Sequence, residues 1–72
     1  MRVYVVEGEK KINSVWLTEI GGIYESKDKA LAKVKEMEII TKYSDYYKYS
    51  YYYITTYDTE TGGIVNAECV LK

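Results

Sequence analysis

Apolar and polar residues alternate, cluster and change period along this chain in a way that predicts five elements. Val3 to Gly8 is short, β-branched and aromatic, so it reads as a strand. Glu9-Lys10-Lys11-Ile12-Asn13-Ser14 is mostly polar and reads as a loop. Strand chemistry resumes at Val15-Trp16-Leu17-Thr18-Glu19-Ile20, which makes the first two runs a β-hairpin. Gly21-Gly22 then interrupts the second run before Ile23-Tyr24, the signature of a bulge or a close backbone approach.

After Ser26 the period changes. Ala30, Leu31, Val34 and Met37 recur at helical spacing with Lys27, Lys33 and Glu36 opposite, predicting a helix over 27–40. Ser26 is a natural N-cap for it, since its hydroxyl can accept from a first-turn amide. The stretch 41–50 is polar except for tyrosine. Tyr51 to Tyr57 is then a strongly strand-prone run. Asp58-Thr59-Glu60-Thr61-Gly62-Gly63 reads as a turn using Asp, Thr and Gly for backbone reasons, with only a faint echo of a calcium loop. Ile64 to Leu71 alternates, and Val65, Ala67, Cys69 and Leu71 are expected on its apolar face. The expected fold class is α+β, in the order β-β-α-β-β, with a mostly antiparallel sheet and one helix packed on one face. Residues 1–72 are expected to form one small domain.

Composition narrows the function. A chain of 72 residues is short for a buried active site, and with no His it lacks the commonest general base. One Cys and no His leave no zinc site, so no metal, no cofactor and no catalytic residues are expected. The lone Cys69 reads as a small core residue, and a single thiol fits a reducing compartment. The apolar run at Val3-Tyr4-Val5-Val6 is too short for a signal peptide, and no run is long enough to span a membrane. Those two features predict a cytoplasmic location without membrane contact. The formal net charge of −1 gives no field to attract a long nucleic acid or to mimic one.

Tyrosine is the abnormal number, at 10 Tyr against 1 Trp and 0 Phe. Eight of them lie within 43–57. Along the third strand Tyr51, Tyr53 and Tyr57 share a face with Thr55, while Tyr52 and Ile54 take the other. If the helix covers Tyr52 and Ile54, the open face is lined by rings. Tyr43, Tyr46, Tyr47 and Tyr49 of the preceding loop would extend that surface, giving a partner-binding set of Tyr43, Tyr46, Tyr47, Tyr49, Tyr51, Tyr53 and Tyr57. Tyrosine suits such a role because it contributes large contact area for little side-chain entropy. Two alternatives stand beside this reading. The rings can simply be core, or they can stack a nucleotide whose phosphates meet Lys27, Lys29 or Lys48, with the helix start as an anion site. If the 51–57 strand lies at a sheet edge, self-association into a homodimer is expected as well.

The stretch Ile20-Gly21-Gly22-Ile23-Tyr24-Glu25-Ser26-Lys27-Asp28-Lys29-Ala30 has a familiar order. With Val3-Tyr4-Val5-Val6-Glu7 before it and Tyr53-Ile54-Thr55-Thr56-Tyr57-Asp58 after it, it resembles a group of short uncharacterised phage and bacterial proteins carrying a domain of unknown function. The shared features are a strand, Gly-apolar-aromatic-x-Ser, a Lys/Glu/Ala-rich helix and a late tyrosine-rich strand; the strand at 64–71 lies outside them. The resemblance implies a small phage- or prophage-encoded accessory domain. In its most concrete form this is an inhibitor docking on a host protein, for instance one of antiviral defence. A nucleotide sponge and a structural oligomerising subunit are the alternatives.

Overall fold

The computed structural model of the chain describes residues 1–42 and 49–71. It contains β1 (Arg2–Ile12), β2 (Val15–Tyr24), α1 (Lys27–Lys42), β3 (Tyr51–Asp58) and β4 (Ile64–Leu71). The strands form one sheet in the order β2-β1-β3-β4, with every neighbouring pair antiparallel. This is the expected α+β arrangement, with the helix on one face.

The first hairpin is longer and tighter than its polar letters suggest. Glu9 to Ile12 continue β1, pairing with Thr18, Leu17, Trp16 and Val15, and the loop shrinks to Asn13-Ser14. Both turn residues have positive φ, 50° and 69°, as a two-residue turn between right-twisted strands requires. The glycine pair acts as expected. Val6 pairs with Gly22 and Glu7 with Ile20, so Gly21 is the extra residue of a bulge. A Cβ at Gly21 would lie 2.5 Å from Sδ of Met37, so the missing side chain lets the helix approach the sheet. At the helix start, the Ala30 amide donates to the Ser26 carbonyl at 3.1 Å, which places Ser26 at the N-cap.

Val6, Ala30, Val34, Met37, Tyr52 and Ile54 form the core between helix and sheet, with Val6 and Ile54 wholly buried. Tyr4, Tyr24, Leu31, Tyr49 and Val70 close its margins.

The condition for self-association through the tyrosine-rich strand is not met, because that strand is central: β3 is bonded on one side to β1 and on the other to β4. Its backbone is satisfied within the sheet, and the edges fall to β2 and β4. The expected apolar face of β4 is overturned at three of its positions, since Val65, Ala67 and Cys69 do not face the core. Ala67 pairs with Thr55 and Cys69 with Tyr53 on the face opposite the helix, and both are exposed. Register irregularities between Tyr52 and Tyr53 and between Thr56 and Tyr57 insert Val70 and Val65 as extra residues. Val70 thereby reaches the core margin while Val65 is exposed. A bulge breaks the period-2 rule on which the sequence expectation rested.

Candidate binding surface

Strand parity sorts the sheet into a helix-covered face and an open one. Tyr52, Ile54 and Thr56 go under the helix, whereas Tyr51, Tyr53, Thr55 and Tyr57 point away from it. In register beside them on β1 lie Glu9, Glu7, Val5 and Val3. Trp16, Thr18, Ile20 and Ile23 of β2 complete the same face on one side, and Ile64, Ala67 and Cys69 of β4 on the other.

Its most ordered feature is a row of three rings. Trp16 and Tyr51 have centroids 5.8 Å apart at 39°, and Tyr51 and Tyr53 are 6.3 Å apart at 41°. Trp16 is opposite Lys11 and Tyr51 opposite Glu9, so the first two rings meet across β1 between those charged side chains. The Lys11 ammonium lies 5.8 Å from the centroid of Trp16, within cation–π range. Thr55 Oγ1 donates to Glu7 Oε1 at 2.9 Å, which fixes one carboxylate beside the Tyr53 ring. Burial pushes the Tyr53 phenol pKa up, and the Glu9 charge, Cys69 and Tyr51 add to the rise.

Large apolar side chains flank the row. Trp16 is 50% exposed, Ile20 67% and Ile23 62%, too many together on one face of one strand to be isolated surface residues. The centre of the face is better covered, with Val5 and Thr55 buried and Tyr53 and Tyr57 half-buried.

The expected contact residues divide accordingly. Tyr51, Tyr53 and Tyr57 lie on the open face. Tyr49 does not. It sits on the helix side, edge-on to Tyr52 at 5.6 Å between centroids, with the Lys10 ammonium 5.4 Å from its own. Its hydroxyl donates to Glu19 Oε2 at 3.3 Å, and burial followed by the Glu19 charge raises its pKa. Tyr43, Tyr46, Tyr47 and Lys48 lie outside the described residues. Of the expected anion ligands, Lys27 is engaged by Glu68 at 2.5 Å across to β4, and its pKa is raised by that hydrogen bond. Lys29 is exposed in the first helical turn.

Sequence reasoning did not single out Trp16, Ile20, Glu7 or Glu9 for this face. The signal for Trp16 and Ile20 was their shared parity in β2. Glu9 was hidden because its segment reads as loop. Among the described residues, no group of His, Cys, Asp and Glu is arranged to hold a metal ion, and no helix is long and apolar enough to cross a membrane.

No curated protein and no solved structure matches the chain. Residues 1–65, ending at the start of β4, match the family described as Domain of unknown function (DUF7336), and the chain belongs to that family.

Proposed function

We propose that this chain is a non-enzymatic module that docks on a protein partner through the open face of its sheet. The observation that carries this reading is the ring row Trp16–Tyr51–Tyr53 set beside the exposed Ile20 and Ile23. Aromatic residues ringed by apolar surface are the usual anchors of protein interfaces. The phage-like resemblance makes a host protein, for instance a component of antiviral defence, the most concrete partner, and the chain an inhibitor of it. A nucleotide is the weaker ligand for this surface, because Glu7 and Glu9 place two carboxylates where phosphates would have to lie.

The test is capture of the partner with tagged protein, repeated with surface variants. A stoichiometric protein partner lost on Ile20→Asp and on Tyr51→Ala, and retained on Lys35→Ala of the helix, supports the reading. Retention of that partner by both open-face variants, with the variants folded, overturns it.

A further inference from the structure

We infer that the open face receives a basic segment of its partner, with arginine or lysine side chains laid on the Trp16–Tyr51–Tyr53 row between Glu7 and Glu9. This rests on the protein-docking reading above and adds the chemistry of the partner.

Charge complementarity selects the partner. Among the described residues, the charged side chains that register directs to this face are Glu7, Glu9 and Lys11, all on β1. Lys11 is at the far end of the row, and the other two carry the opposite sign beneath the rings. A carboxylate next to an aromatic face attracts a cation twice, by Coulomb energy and by the ring quadrupole. Glu7 is already oriented, because Thr55 holds one of its oxygens.

The chain's own contacts point the same way. Lys11 lies over Trp16, so a cation already occupies one end of the row. The rings follow one another along an open surface and do not close into a cage. That geometry suits an extended segment presenting more than one side chain better than a single small cation. Arginine fits best, since its planar guanidinium both stacks on a ring and forks onto a carboxylate.

Lys11 then makes the sign of the partner's charge measurable. For a basic segment it is a competitor and a like charge, so Lys11→Ala tightens binding. For an acidic or phosphorylated ligand it is an attraction, and the same substitution weakens binding.

Trp16 is the chain's one tryptophan, so its fluorescence reports from the site itself. The experiment titrates the folded chain with capped tetra-arginine and, separately, capped tetra-glutamate, with thermal melts run on every variant. The expected result is a saturable change in Trp16 emission with tetra-arginine and none with tetra-glutamate. Glu9→Gln and Tyr51→Leu should each weaken it by about five- to tenfold, the scale of one partly desolvated cation–π contact, and Lys11→Ala should strengthen it. Equal response to tetra-glutamate, weaker binding in Lys11→Ala, or no saturable response in folded protein overturns the inference. Its failure is separable from that of the docking reading. A partner complex lost on Ile20→Asp but unchanged by Glu9→Gln leaves the surface standing and removes the basic segment.

Discussion

The ring of Tyr49 occupies the space where Gly8 has no side chain: a Cβ built on Gly8 would lie 2.6 Å from Cδ1 and 2.9 Å from Cγ of that ring. A single residue of β1 therefore admits the aromatic that covers the helix side of the sheet beyond the core. The backbone reinforces the contact, since the Ser50 amide donates to the Glu9 carbonyl at 2.7 Å.

Gly8→Ala should therefore destabilise the fold by about 1–3 kcal/mol, the cost of forcing atoms into a packed site. Strand propensity alone would favour alanine, so the sign is diagnostic. The double variant Gly8→Ala/Tyr49→Ala should lose much of the coupling. Chemical denaturation of the four species reads it, and an additive cycle would show that the ring does not pack on Gly8.

The bulk of the fold is legible in the sequence. Ala30, Leu31, Val34 and Met37 at helical spacing fixed the helix, and the Gly21-Gly22 bulge and the Asp58–Gly63 turn stand where their residues put them. In that turn the Asp58 carboxylate accepts the Glu60 amide at 2.9 Å, a backbone duty of the kind expected. What the sequence leaves hidden has separate physical causes. Lys10 and Lys11 look like loop because their polarity hides that they are strand residues with partners on either face. Ala67 and Cys69 look like core because alternation shows that a strand has two faces without saying which one the helix covers. Edge or centre is likewise a matter of pairing between distant segments, which Tyr51–Tyr57 cannot announce alone.

The Asn13-Ser14 turn carries a correctable strain. Ser14 holds φ at 69°, a left-handed conformation that costs an ordinary residue about 1–2 kcal/mol. Glycine removes that cost and returns about 0.4–1 kcal/mol of it through the freer unfolded chain. Ser14→Gly should thus raise the Tm modestly. A fall in Tm would show that the serine is not strained there.

Glu19 gives the stability a predictable acid limb. Its carboxyl is held below the usual glutamate range by the hydrogen bond from Lys10, at 2.6 Å, against an opposing desolvation, with the Lys10 charge and the Tyr49 hydroxyl assisting. A carboxylate depressed in the folded state contributes stability above its unfolded pKa of about 4.3, and that contribution is lost as the pH falls through the lower folded value. The Glu19 side chain is 47% exposed, so solvent screening keeps the effect under about 1 kcal/mol. Glu19→Gln should flatten the fall in Tm on acidification. An unchanged slope would remove the Lys10–Glu19 pair from the account.

Cys69 is exposed on the open face, next to Tyr53 in register. A thiol reagent should therefore label native protein at a rate within a few-fold of the unfolded chain. If the open face is the docking surface, saturation with the partner should slow that labelling. Native protein that resists the reagent without partner would mean the thiol is covered.

Adjacent tyrosines give the sharpest check on which face is which. Tyr52 is 4% exposed and belongs to the core cluster, whereas Tyr51 is 41% exposed and touches the rings of Trp16 and Tyr53. Removing a buried aromatic side chain costs about 3–5 kcal/mol, enough to unfold much of a chain this small. Removing the part-exposed Tyr51 forfeits its aromatic contacts, about 0.5–1.5 kcal/mol, and a smaller share of covered apolar area without leaving a cavity in the core. Tyr52→Ala should then melt near or below room temperature, while Tyr51→Ala stays folded with a Tm only a few degrees lower. Circular dichroism melts of the two proteins read the difference. Because the period of a strand is two, a sheet seated the other way round would exchange the two results. A Tyr51→Ala variant that unfolds would place the open face in the core, and the binding surface would have to be sought elsewhere.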